Sequence, residues 1–300
     1  MIGEVFGLVR SVTQSGEKPV IPMPIVDTHN HFWRIGTDEL YWLDHYADPI
    51  FLRDYLPMDL KPHMDAAGVD KSVIVQASHA WTDQLAYLEM AEAHDFIAGV
   101  IAWVDLEADD VGDKIDELAE SPWFRGIRAG AEDHPENDAW LALDAVRRGI
   151  RTVLERGHVV ELLVKSAHLP CVPQIARENE GGRLIVDHLA KPPLETPAMS
   201  TWLDGMLALQ PYSHVRLKIS GLLVECPNLP ITDVIQAAVD PVLEAFPIER
   251  LLWGSDWPVA LLAASYEETF KRVTATIDRL SKTDRSAVLG GNAMTFYELS

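Results

Sequence analysis

Short apolar or β-branched runs alternate along the chain with longer stretches in which apolar residues recur at helical spacing. The runs predict strands over 24–31, 72–77, 98–104, 125–129, 158–164, 183–188, 214–220 and 250–256. The amphipathic stretches predict helices over 82–93, 109–119, 143–156, 172–178, 200–209, 233–246 and 266–280. Most of the strands are too apolar to keep one wet face, as expected of parallel strands covered on both sides. A strand-then-helix order repeated eight times closes most naturally as a single (β/α)8 TIM barrel. That barrel is assigned to residues 21–300, with 1–20 as an N-terminal extension. A doubly wound sheet is the competing architecture, but its first strand usually leads into a glycine-rich phosphate turn, and here that turn carries histidines. The segment 32–71 reads as a long loop at the mouth, with Phe32, Trp33, Tyr41, Trp42, His45, Tyr46, Phe51 and Tyr55 concentrated in it. It is either a substrate lid or an aromatic cover over one end of the barrel.

Composition narrows the function classes. A 300-residue chain that is 48% hydrophobic and 24% charged can bury one large core. Its formal charge of −21 argues against a nucleic-acid partner, which needs a basic stripe to displace counterions. The two cysteines, Cys171 and Cys226, fall in no metal-binding or disulfide framework pattern. No apolar run is long enough to span a membrane, and the first 20 residues lack the apolar core of a secretory signal. The expectation is a cytoplasmic protein with a small-molecule partner, acting as a monomer or a homo-oligomer.

Chemistry concentrates at strand ends. Side chains alternate along a strand, so Asp27, His29 and His31 are expected on one side of the first strand. Two imidazoles so spaced can chelate one divalent ion, and Asp27 can orient one of them. The last strand ends in Asp256, where a carboxylate can hold and deprotonate a water facing those histidines. The run from Leu184 to Pro192 adds Asp187 and His188, expected to face opposite ways, with His188 toward the centre and Asp187 in a structural contact.

The IVDTHNHFW opening, the GVIAWVDL, RGIR, VDHLAKP, LKISGL and LLWGSDWPV runs and the closing Gly290–Tyr297 segment resemble the lactonase-type branch of the amidohydrolase superfamily, in order from about residue 24 onward. The resemblance implies opening of sugar-acid lactones or of lactones from aromatic-compound breakdown, at a centre formed by His29, His31, His188 and Asp256. It implies one divalent metal on those four residues, zinc before others, or none. The bridging carboxylated lysine of binuclear members has no counterpart on the fourth strand, which offers Arg128 instead. Lys165 as a bridge and His168 as an extra ligand rank below roles as substrate contacts or solvated groups. Relatives often carry a histidine after that arginine, whereas this chain has Ala129, so substrate specificity does not carry over directly.

Arg128 can grip a carboxylate or hydroxyl bidentately, or serve in a structural ion pair. Trp33, Gln76, His79, Lys165 and Lys218 complete the expected substrate contacts, with Trp81, Lys191 and Ser220 nearby. The expected reaction is water attack on the lactone carbonyl, with Asp256 taking the water proton and returning it to the departing alkoxide. The rivals are a metal-dependent decarboxylase of the same superfamily and a non-catalytic barrel that binds a small polar metabolite. A serine hydrolase is disfavoured by the absence of a Gly-x-Ser-x-Gly motif.

Overall fold

The computed structural model describes residues 23–36, 40, 48–134, 139–225 and 231–300. Residues 1–20, Tyr41, Trp42, His45, Tyr46 and Cys226 therefore lie outside the described residues. Eight parallel strands follow one another in order around one sheet: β1 (Val26–Asn30), β2 (Lys71–Val75), β3 (Ile97–Ala102), β4 (Phe124–Gly130), β5 (Val159–Leu163), β6 (Arg183–Val186), β7 (Val215–Ile219) and β8 (Leu251–Trp253). The barrel closes beyond the end of β8, where Asp256 N donates to His29 O at 2.8 Å and His31 N to Trp257 O at 2.7 Å. The helices are α1 (Pro57–Ala67), α2 (Trp81–Ala93), α3 (Val111–Leu118), α4 (Asp144–Glu155), α5 (Val172–Glu178), α6 (Met199–Leu207), α7 (Ile231–Ala245) and α8 (Tyr266–Thr276), then the short α9 (Lys282–Ser286) and α10 (Asn292–Phe296). This is the single (β/α)8 barrel that the alternating pattern predicts.

The core has the two parts such a barrel requires. Inside, Val26, Val73, Val75, Ala98, Val159, Ile185 and Leu252 pack with Phe296, Tyr297 and Leu299 of the chain end. Outside, a larger cluster joins the outward strand residues to the apolar stripes of the helices. Such packing leaves the mouth, at the C-terminal ends of the strands, free for polar groups.

One correction concerns 32–71, which is not a continuous loop. It contains α1, started by Pro57 and by Leu56 N donating to the Asp59 carboxylate at 2.8 Å, and stopped by Gly68 at φ 72. Among the described residues, no helix is long and apolar enough to cross a membrane.

Candidate active site

The register of β1 against β2 shifts between Asp27 and Asn30, and this irregularity sets the faces of the first motif. Val26 packs inside the barrel, and Asp27 turns away from the centre. Its carboxylate accepts from Ser255 N at 2.8 Å, His29 N at 3.1 Å and Tyr266 Oη at 3.1 Å. Asp27 therefore does not share a face with the histidines, because the shift breaks the two-residue alternation. It ties the barrel seam to α8, and burial raises its pKa to about 6. Beyond the shift His29 and His31 come together, rings edge to face at 4.9 Å.

The end of β6 departs from the expected geometry in a comparable way. Its last residue is Val186, after which His188, Leu189, Ala190 and Lys191 take φ between 48° and 58°. This left-handed turn brings both Asp187 and His188 to the inside, rather than one to each face. Asp256 is also left-handed, at φ 64. Close approach needs glycine: a Cβ on Gly221, at φ 65, would lie 2.5 Å from His188 Nδ1, and one on Gly254 would lie 2.6 Å from the His29 Cβ.

Three imidazoles converge on one carboxylate oxygen. Asp256 Oδ1 lies 3.3 Å from His31 Nε2, 3.7 Å from His29 Nε2 and 3.9 Å from His188 Nε2. Burial, joined for His29 by the Lys218 ammonium, lowers the pKa of His29 and His188 well below the ordinary value. Burial opposes charge on Asp256 too, but His188, His31 and Lys191 outweigh it and hold the carboxyl below its usual range. The result is an ionised base among imidazoles. His31 Nδ1 donates to Val75 O at 2.8 Å, its Nε2 is hydrogen-bonded to Asp256 Oδ1 at 3.3 Å, and His188 Nδ1 lies 2.8 Å from Ser220 Oγ.

Beneath this centre lies a buried polar layer. Lys218 Nζ donates to Glu161 Oε2 at 2.7 Å and to His29 Nδ1 at 3.1 Å, and forms an ion pair with Asp187 Oδ1 at 3.1 Å. Tyr297 Oη donates to Glu161 Oε1. Burial raises the pKa of both Glu161 and Tyr297. Lys218 was expected among the substrate contacts; the structure instead buries it completely among Glu161, Asp187 and His29. Glu161, Tyr297 and Ser220's bond to His188 complete the layer. Glu161 escaped the sequence reading, although a glutamate inside the apolar run Val159–Leu163 is a signal in itself.

The remaining predicted contacts divide between mouth and rim. Gln76 is buried with both amide atoms unpartnered, and Arg128 Nη2 donates to Gln76 O at 2.7 Å. Among the described residues Arg128 makes no ion pair, and its Nε is buried without a partner. His79 stacks on Trp103 at 4.6 Å and lies 3.3 Å from Asp133, in the wall of a pocket that Arg128 also lines. Lys165, half exposed, pairs with Glu132 at 3.0 Å, and Lys191 reaches the other oxygen of Glu132 at 2.6 Å. His168 Nδ1 accepts from Lys165 N and stands apart from the imidazole cluster. Trp33 is buried against Phe51 and Tyr55, its Nε1 donating to Arg53 O at 3.0 Å, so its ring packs in the aromatic cover.

The family profile described as amidohydrolase matches residues 26–299. The chain belongs to the amidohydrolase family. The chain is 34% identical over 278 residues to an L-fucono-1,5-lactonase of Burkholderia ambifaria, covering 91% of this chain and 95% of that protein. An L-fucono-1,5-lactonase of Burkholderia multivorans is also 34% identical, over 286 residues, with 91% and 96% covered. Among solved structures, an amidohydrolase from Burkholderia multivorans with bound zinc superposes with a TM-score of 0.85 at 32% identity, covering 92% of this chain and all of that one. These proteins are what this amidohydrolase resembles.

The residues present fit a divalent ion. Nitrogen and oxygen donors of His29, His31 and Asp256 all lie within 4.8 Å of one another, and His188 is not a member of that set. His29 Nε2 is buried without a partner. An orphaned imidazole nitrogen beside a second imidazole and an ionised carboxylate is a donor set suited to one such ion.

Proposed function

We propose that this amidohydrolase opens the ring of sugar-acid lactones by water attack on the carbonyl. The observation that carries the reading is the ionised Asp256 held among three imidazoles at the mouth. The likeness to two L-fucono-1,5-lactonases over nine-tenths of the chain supports it. Asp256 takes a proton from water as that water attacks, then delivers it to the departing ring alkoxide. His29, His31 and His188 line the reacting carbonyl, and Arg128 with the amide of Gln76 holds ring oxygens. A neutral, hydroxylated ring suits this mouth better than a dicarboxylated one, since Lys165 and Lys191 are already paired with Glu132, and Lys191 also with Glu225. His29, His31 and Asp256 would hold the metal, zinc by likeness to the zinc-bound relative, and the ion would polarise the lactone carbonyl. Residues 21–300 form the catalytic barrel in this reading, with 1–20 preceding it.

The test is acid release from a panel of aldono-1,5-lactones and dicarboxylated lactones. The proposal expects opening of the aldonolactones. Turnover confined to dicarboxylated lactones overturns the substrate reading, and carbon dioxide release without ring opening establishes the decarboxylase instead. Binding of lactones without turnover establishes the non-catalytic barrel.

A further inference from the structure

Besides the donor set at the mouth, a second one lies deeper: His29 Nδ1, Glu161 and Asp187 offer ligand atoms within 4.8 Å of one another, all fully buried. Two carboxylates and an imidazole buried out of reach of bulk solvent attract a cation strongly. The Lys218 ammonium already sits there, 2.7 Å from Glu161, 3.1 Å from Asp187 and 3.1 Å from His29. We infer that Lys218 is a built-in cation that fills a second metal position, limiting the centre to a single divalent ion and setting the tautomer of His29.

The tautomer follows from donor counting. An ammonium has three protons and accepts nothing. Because the ammonium only donates, its 3.1 Å hydrogen bond to His29 Nδ1 requires that nitrogen to offer its lone pair, and the proton of the neutral ring resides on Nε2, 3.7 Å from Asp256 Oδ1. The metal-free centre thus presents His29 as a donor toward the reacting oxygen. Loading an ion on Nε2 requires the proton to move to Nδ1, and Asp187 Oδ1, 3.6 Å away, is placed to accept it. Lys218 and Asp187 are then alternative partners of one nitrogen. Lys218 is a positioning residue, acting through His29, and the inference does not depend on which lactone is opened.

Two measurements on the whole chain test it. Long-range proton–nitrogen correlation spectra of the metal-free protein should show His29 protonated at Nε2 and bare at Nδ1, with the assignments exchanged after addition of zinc. Zinc titration followed by native mass spectrometry should give at most one bound ion for the wild type and one more for Lys218→Ala. An Nδ1-protonated His29 in the metal-free wild type, two ions in the wild type, or an unchanged count in folded Lys218→Ala each overturns the inference. If Lys218→Ala does not fold, the wild-type tautomer and ion count decide.

Discussion

Replacing Asp256 by asparagine isolates the proposed base. The substitution keeps the side-chain shape, and at φ 64 asparagine is among the residues that best tolerate the left-handed region, so no backbone strain is added. What disappears is the negative charge and the basic lone pair that faces three imidazoles at 3.3, 3.7 and 3.9 Å. A positioned general base contributes about 10²- to 10⁴-fold to rate. At 1.36 kcal/mol per factor of ten, that is about 3–5 kcal/mol of barrier. The assay is the initial rate of acid release from an aldono-1,5-lactone in weakly buffered indicator solution, corrected for spontaneous opening, with thermal unfolding recorded in parallel. The expected result is a fall in kcat of about 10²- to 10⁴-fold with KM little changed. A folded variant that keeps kcat within about tenfold of the wild type refutes the assignment, being below the smallest effect expected of a base. The pH profile gives a second check. Because the Asp256 carboxyl is held below its usual range, kcat/KM should stay flat from neutral pH down into the carboxylate range and fall only below it. A one-proton rise between pH 6 and 7 would mean that another group is the base.

Removing the Arg128 charge with Arg128→Met should lower kcat/KM about ten- to a hundredfold, the value of a charged hydrogen bond lost; equal kcat/KM in the folded variant would exclude contact with substrate. Gly221→Ala puts a Cβ 2.5 Å from His188 Nδ1 at φ 65, so it should cost at least about 1–2 kcal/mol of stability by denaturant titration and disturb turnover through His188. Asp27, raised from 3.8 to about 6 by burial, holds its proton more tightly folded than unfolded. Its contribution is fully present below about pH 4 and lost as pH rises through 6, amounting to about 3 kcal/mol. Asp27→Asn should therefore gain stability relative to the wild type across that interval, and a pH-independent difference between the two proteins would contradict the shift.

The fold was legible because parallel strands buried on both faces and amphipathic helices leave different periodicities, and no tertiary information is needed to count them. Helix α1 escaped because its signals, Pro57, Asp59 and Gly68, lie in a segment crowded with aromatic residues and interrupted by Pro62. Strand ends led directly to His29, His31, His188 and Asp256, which the structure brings together around one oxygen. What alternation could not supply was the face of each neighbour. The register shift in β1 turns Asp27 outward, and the left-handed run from His188 turns Asp187 inward; both are backbone departures that side-chain identity does not announce. Lys218 shows the deeper reason. A lysine at the end of an apolar strand reads as a reach toward solvent or substrate, because a buried ammonium is costly without partners. Its partners, Glu161 and Asp187, stand on β5 and just after β6, 57 and 31 residues away in sequence, and only closure of the barrel joins them. The groups that face the substrate are local to strand ends and readable from them. The groups that decide how those residues are protonated are assembled across the barrel, so the tautomer of His29 is a property of the fold rather than of its motif.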